Sequence, residues 1–394
     1  MPNSRTKALL RGDLPDSFTH GLYRLAPYRG CAHACRYCDG RAERYYVEGD
    51  FEKDIVVRGG IPEALEAELP RLREEGMIVF GSGTTDPYQP CELRENITGR
   101  AAALLAHPPL ATPRLTASVL TKSCLAERDF EAWKALDSKS GFLLLVSITS
   151  LDEDLRELME PGSSPFSERL RMLKRFKEAG MSTGILAMPL LPGLSDSRTS
   201  LATLYEAAKE AGVDFLMPGG LTLRPGRQKE LYLKTLASSH PELLETTLEL
   251  YKDEKASGAP AWSYRRRLQA MTMELATEAA MPFLLPHRNL ARLLPPHDAF
   301  RVLLRDMAEL YAQRGVDTGP LEAAAARYDL WLIGLRRYFR GHRSLPPSWL
   351  PERFASALAD KELDPILANP RLAAFAHSVL EDGAILDYHS LRLV

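Results

Sequence analysis

The chain has 394 residues, of which 45% are hydrophobic and 26% charged, with a formal net charge of −2. Such a chain buries a large core and is expected to hold one large domain and a smaller one. No apolar run approaches the roughly 20 residues that span a bilayer, and the near-neutral charge excludes global attraction to nucleic acid or acidic membrane, so any basic binding surface must be local.

In chain order, Met1 to His20 is polar, carries Arg5, Lys7 and Arg11, and lacks the apolar core of a signal peptide. Residues 1–20 read as a lead-in, and the expected location is a reducing cytoplasm. A first strand is expected near Gly21 to Leu25. The loop Pro27-Tyr28-Arg29-Gly30-Cys31-Ala32-His33-Ala34-Cys35-Arg36-Tyr37-Cys38 follows, with three of the five cysteines at Cys-x3-Cys-x2-Cys spacing. Three thiolates so placed can hold three irons of a four-iron, four-sulfur cluster and leave the fourth iron open to a substrate or cosubstrate. The competing reading is a zinc site, which needs a fourth ligand to close a tetrahedron; His33, Cys91 and Cys124 are the candidates.

Beyond the loop, short apolar runs alternate with helical patterns, as in repeated βα units around a parallel sheet. Strands are expected at Met77 to Gly81, Leu115 to Thr121, Phe142 to Thr149, Thr183 to Pro189 and Asp214 to Pro218. Their nearly continuous apolar character suits strands covered on both faces. Helices are expected at about Pro62 to Glu75, Thr98 to Ala106, Ala126 to Ala135, Ser164 to Ala179 and Arg198 to Ala211. Leu170, Leu173 and Phe176 share one helical face, and Gly180 is a natural stop. With the first strand this makes about six βα units, and functional residues of such barrels gather at the C-terminal strand ends. From about Leu290 the pattern becomes helices punctuated by Pro295-Pro296, Gly319-Pro320 and Pro346-Pro347.

Three strand ends carry groups suited to ligand binding. After the second strand comes Phe80-Gly81-Ser82-Gly83-Thr84-Thr85-Asp86-Pro87-Tyr88-Gln89-Pro90, whose glycines permit close backbone approach and whose hydroxyls can bond polar groups. It lacks the Lys-Ser/Thr end of a phosphate-binding P-loop. Lys122 ends the third strand and Ser147 the fourth; a lysine there can pair with a carboxylate, a serine with a ribose or carboxylate oxygen.

The cysteine triplet, with Tyr37 before its third member, resembles the signature of the radical S-adenosylmethionine (SAM) superfamily. The words Thr85-Asp86-Pro87-Tyr88-Gln89-Pro90, Thr121-Lys122-Ser123, Glu160-Pro161 with Ser164-Pro165, Pro189-Leu190-Leu191-Pro192-Gly193-Leu194 and Leu223-Arg224-Pro225-Gly226-Arg227-Gln228 resemble its spore photoproduct lyase-like branch. The resemblance spans residues 20 to 265. It implies an α/β fold, a partial (βα)6 TIM-like barrel over residues 21–289 with a helical C-terminal extension over 290–394. It also implies a 4Fe-4S cluster on Cys31, Cys35 and Cys38, with Lys122 on the SAM carboxylate and Ser147, Thr84 and Tyr37 lining the SAM site. The expected chemistry is reductive cleavage of SAM to a 5′-deoxyadenosyl radical, followed by hydrogen abstraction from a substrate.

Two positions depart from that branch. Gly83 stands where the photoproduct lyases carry a hydrogen-donating cysteine, and Asp39 stands where a tyrosine is common. Cys91, following the Asp86 to Pro90 loop, is the candidate catalytic thiol, ahead of Cys124. No second cysteine group can hold another cluster, so a flavodoxin or ferredoxin-type electron donor is implied. Arg336, Arg340 and Arg343, at helical spacing among Arg337, Tyr338 and Phe339, make nucleic acid a candidate partner. An iron–sulfur redox sensor without radical catalysis and a zinc-stabilised nucleic-acid-binding module are the alternative functions.

Overall fold

In the computed structural model, which describes residues 6–81, 83–110 and 112–394, the apolar runs become one sheet. Among the described residues nine strands are present: β1 (Leu10–Arg11), β2 (Tyr23–Leu25), β3 (Tyr28–Arg29), β4 (Val56–Val57), β5 (Gly76–Phe80), β6 (Leu115–Thr121), β7 (Phe142–Ser147), β8 (Ser182–Leu190) and β9 (Phe215–Gly220). Seven form a sheet in the order β1-β2-β5-β6-β7-β8-β9, while β3 and β4 pair separately. From β2 to β9 every neighbouring pair is parallel, with Tyr23 opposite Ile78, Gly76 opposite Leu115, Thr121 opposite Val146, Ser147 opposite Leu186 and Gly184 opposite Phe215. Six parallel strands that curl without β9 pairing to β2 are a partial (βα)6 barrel. The antiparallel β1 covers the exposed edge of β2.

Strand alternation sorts the core into two faces. Leu144 and Val146 pack with Trp133, Phe142 and Phe176 on the helix side, where the Trp133 and Phe142 rings stack at 4.5 Å. On the opposite, concave face, Met77, Leu143, Leu145, Leu186 and Phe215 meet Leu285, Leu290, Leu293, Leu294, Ala299 and Val302. The barrel interior is therefore filled by the segment that opens the helical extension. Hydrogen bonds fix that segment at the N-terminal strand ends: Thr116 Oγ1 donates to the Leu293 carbonyl at 2.8 Å, and Asn289 Nδ2 and Arg292 Nη2 donate to Ser182 Oγ at 2.9 and 2.8 Å. The opposite, C-terminal end carries the cysteine loop and the ends of β6 and β7.

The remaining helices, Pro296–Ala312, Gly319–Gly341, Trp349–Ala359, Leu363–Leu367 and Pro370–Leu380, build a second core around Phe300, Leu303, Leu304, Tyr328, Leu332 and Phe354. Among the described residues, no helix is long and apolar enough to cross a membrane.

The arginine stripe of Gly319–Gly341 faces this interior. Arg336 is fully buried, with Nη2 on Asp298 Oδ2 at 2.7 Å and Nε 3.3 Å from Glu74 Oε2. Arg340 donates to Glu74 Oε1 at 2.7 Å and to Asp13 Oδ1 at 2.8 Å, and Arg11 reaches the same Glu74 at 2.9 Å. These arginines join the lead-in, the barrel and the extension, because a buried guanidinium is tolerated only with carboxylate partners. The feature that suggested nucleic acid is thus consumed inside the molecule; Arg343 alone of the three stays exposed.

Candidate cluster and cofactor site

The cysteine loop leaves β3 through Gly30, whose φ of +81° suits glycine and where a Cβ would lie 2.9 Å from the Phe51 carbonyl oxygen. Cys31, Cys35 and Cys38 are all free thiols; the first two are buried and the third is half-buried. Burial first, and their mutual proximity with Asp86 and Glu160 second, push the Cys31 and Cys35 thiols well above their ordinary range, and burial likewise raises Cys38. Thiols in that state ionise on binding a cation, which supplies the missing charge compensation.

Three outlying elements grip the loop. Gln89, fully buried in the segment after β5, accepts from the Ala32 N–H at 2.9 Å and donates to the Gly30 carbonyl at 3.1 Å and to Thr85 Oγ1 at 2.9 Å. Thr85 Oγ1 itself donates to the Gly30 carbonyl at 2.8 Å. From beyond β9, the equally buried Gln228 donates to the Tyr37 carbonyl at 2.9 Å, and Arg224 Nε donates to Asp39 Oδ1 at 2.6 Å. From beyond β7, the Met159 carbonyl accepts from the Arg36 N–H, and the Gly162 N–H donates to the His33 carbonyl. Asp86 adds a tie to β6: it accepts from Thr121 Oγ1, the Lys122 N–H and the Tyr88 N–H, each at 2.8 Å. Although burial opposes it, His33 and these donors hold the Asp86 carboxyl below its usual range.

His33 does not join the thiols. Its Nδ1 donates to the Gly162 carbonyl at 2.7 Å, and its Nε2 lies 3.2 Å from Asp86 Oδ2, close but poorly aligned for a hydrogen bond. Cys91 and Cys124 pack against the core between sheet and helices, whereas Cys35 and Cys38 pack with Leu155, Met159, Leu221 and Tyr232, and Cys31 with Val47 and Phe51. The structure therefore does not bring Cys91 or Cys124 to the triplet. Burial and the neighbouring Glu92 and Glu95 raise the Cys91 thiol to about 11. The donor set is three thiols from one braced loop with every other candidate ligand engaged elsewhere, which fits a cluster with one iron free of protein.

Three of the four residues expected to contact SAM, Tyr37, Lys122 and Ser147, connect to one carboxylate that had no role assigned from sequence. Glu160, buried after the helix Glu153–Met159, accepts from the Tyr37 hydroxyl, from Lys122 Nζ at 3.2 Å and from Arg169 Nη2 at 2.7 Å. Arg169, also fully buried, donates through Nη1 to the Ser147 carbonyl at 2.7 Å. One carboxylate thus links Tyr37, Lys122 and, through Arg169, the end of β7. Burial raises its pKa, but Lys122 and Arg169 outweigh burial and bring it to about 2. Lys122 also sits 5.6 Å above the Tyr37 ring centre. Register places Lys122 beside Ser147, since Thr121 pairs with Val146. Thr84 is half-exposed in the loop after β5, and Ser82 of the same loop lies outside the described residues.

Where the lyase branch has its cysteine, Gly83 faces a phenol: a Cβ built there would lie 3.9 Å from the Tyr45 hydroxyl, which donates to Asp39 Oδ2 at 2.5 Å. Gln89, Gln228, Arg224, Glu160 and Arg169 all escaped a functional assignment from sequence. For Gln89, Glu160 and Arg224 the available signal was a proline directly after each; Gln228 and Arg169, inside the helices Arg227–Ser239 and Phe166–Glu178, carry no such mark.

A six-stranded parallel partial barrel with a three-thiol loop and a lysine at its C-terminal end defines a class of cluster-binding α/β enzyme. The family model described as "Radical SAM superfamily" matches residues 25–205. An uncharacterized protein of Mycobacterium tuberculosis is 32% identical over 235 residues, 58% of this chain and 67% of the relative. One from Methanocaldococcus jannaschii is 24% identical over 246 residues, 61% of this chain and 86% of the relative. Among solved structures, a spore photoproduct lyase complexed with dinucleoside spore photoproduct shows 16% identity and a TM-score of 0.48, covering 71% of this chain and 78% of that one. Streptococcus suis SuiB bound to S-adenosylmethionine shows 12% identity and a TM-score of 0.40, covering 66% and 48%. The chain belongs to the radical SAM superfamily. Membership makes it an enzyme of that class and implies SAM and an iron–sulfur cluster as its cofactors.

Proposed function

We propose that this protein is a spore photoproduct lyase-like radical SAM enzyme, with Cys31, Cys35 and Cys38 holding a 4Fe-4S cluster and Lys122, Ser147, Thr84 and Tyr37 lining the SAM site. When bound, the cluster and SAM supply an electron and a 5′-deoxyadenosyl radical that abstracts hydrogen from a substrate. The chain's own residues do the positioning. Gln89 and Gln228 hold the loop from opposite sides, Lys122 offers an ammonium to a carboxylate, and the Glu160–Arg169 pair fixes Tyr37 and Lys122. The interior packing of Leu285 to Val302 closes the N-terminal end of the barrel, which leaves the C-terminal end as its open side.

The observation that carries this reading is the braced three-thiol loop at the C-terminal strand ends, with the Lys122–Glu160–Tyr37 cluster beside it. Gly83 argues against hydrogen return by the thiol relay of the photoproduct lyases, and the internal use of Arg336 and Arg340 leaves nucleic acid resting on the resemblance alone. Anaerobically reconstituted protein given SAM and dithionite is expected to form 5′-deoxyadenosine, and Cys38→Ala to form none. Wild-type protein that binds iron yet yields no 5′-deoxyadenosine sinks the enzymatic reading.

A further inference from the structure

The electron for a single cluster must come from outside the chain, since the two cysteines beyond the loop lie apart in the sheet–helix core. A protein donor needs a place to land near the cysteine loop. The helix Trp262–Glu278 begins on that side of the barrel. Tyr264 Oη donates to Asp196 Oδ2 at 2.8 Å in the segment after β8, and the segment preceding the helix touches Arg224, whose Nη1 donates to the Ala256 carbonyl at 2.7 Å. The same guanidinium holds Asp39, the neighbour of Cys38, at 2.6 Å.

The first turns of this helix put an exposed indole beside a basic run. Trp262 is 60% exposed, and Arg265, Arg266 and Arg267, the only three consecutive basic residues in the sequence, are all exposed. Among the described residues none of the three has a carboxylate partner. The carboxylates of the segment before the helix are already occupied: Glu249 by Lys252 at 2.5 Å, Asp253 by Lys255 at 3.1 Å, and Glu254 by Lys229. Arg266 lies 4.7 Å over the Trp262 ring and Arg267 lies 5.6 Å over the Tyr264 ring. These contacts stiffen the side chains without neutralising them.

Resting on the cluster reading above, we infer that Trp262, Arg265, Arg266 and Arg267 form the docking surface for an acidic one-electron donor protein. Tryptophan and arginine are the side chains most enriched at the energetic centres of protein interfaces. Unpaired arginines meeting surface carboxylates accelerate encounter and fix orientation. A single-stranded nucleic acid fits less well, because it needs a basic groove with successive stacking rings. Here one exposed tryptophan stands beside three arginines, with no run of stacking rings.

The test uses a plant-type [2Fe-2S] ferredoxin as probe, with binding measured by calorimetry at low and high salt, and reduction of the reconstituted centre followed by stopped flow. The triple variant R265E/R266E/R267E is expected to weaken ferredoxin binding at least tenfold, and W262A several-fold. Both should melt as the wild type does and be reduced by dithionite at the wild-type rate. Unchanged ferredoxin affinity in the triple variant overturns the proposal, as does loss of single-stranded oligonucleotide binding with ferredoxin binding intact. If dithionite reduces no centre in the wild type while the binding difference holds, the docking surface stands and the cluster reading falls.

Discussion

Glu160→Gln is expected to destabilise the protein by about 3–5 kcal/mol, the cost of leaving buried guanidinium and ammonium groups without their counter-charge. Arg169 is fully buried and Lys122 mostly so, and both converge on this carboxylate at 2.7 and 3.2 Å. A glutamine keeps the shape but not the charge. The double variant E160Q/R169M should recover part of the loss, because no unpaired guanidinium remains. Its pH dependence has a definite sign. The folded-state pKa of Glu160, about 2, lies below its ordinary 4.5, so the contribution is fully present above 4.5 and is lost as pH falls through 2. That window is worth about 3 kcal/mol. Chemical denaturation of the wild type and Glu160→Gln from pH 6 down to pH 2 should show their stabilities converging. Parallel curves across that range contradict the assigned charge state.

Gln89→Leu is expected to release the cysteine loop while leaving the barrel folded. The substitution removes the partner of the half-buried Ala32 N–H, at about 1–3 kcal/mol if that group is left unsatisfied, and one of the two donors to the Gly30 carbonyl, which keeps Thr85. The barrel strands make no use of this side chain. The far-UV spectrum should therefore be unchanged, while iron retained after anaerobic reconstitution and desalting drops at least threefold. Gln228→Leu should act in the same direction from the opposite side, since Gln228 holds the Tyr37 carbonyl. Full iron retention in both variants would mean that the cysteines are placed by local conformation alone.

The scaffold was legible because buried parallel strands are written as short continuous apolar runs. Leu115 to Thr121 and the helix Arg198 to Ala211 coincide in both readings. The helix expected over Pro62 to Glu75 instead ends at Glu68 and passes into a 3-10 turn at Leu69–Arg71, where Pro70 lacks the N–H an α-helix requires. The cysteine triplet, Lys122 and Ser147 could be nominated from sequence because the chemistry proposed for them is local to one loop or one strand end. The glutamine clamps and the Glu160–Arg169 pair could not, since each acts on a segment far away in sequence. The partners of the arginine stripe were hidden for the same reason: helical spacing shows that Arg336 and Arg340 share a face, but only the fold supplies Glu74, Asp298 and Asp13 to meet them. Nor does periodicity show that Leu285 to Val302 enters the barrel, because an apolar helix face reads alike whether it meets another helix or the inside of a sheet.

The most direct test of the account is EPR of the dithionite-reduced, anaerobically reconstituted protein, recorded before and after addition of SAM, with iron and sulfide analysis of the same samples. The account predicts about four irons and four sulfides per chain, a reduced-cluster signal that shifts when SAM is added, and loss of that signal in Cys31→Ala, Cys35→Ala and Cys38→Ala but not in Cys91→Ala. A protein that takes up zinc and no iron, or a cluster whose signal is indifferent to SAM, contradicts it.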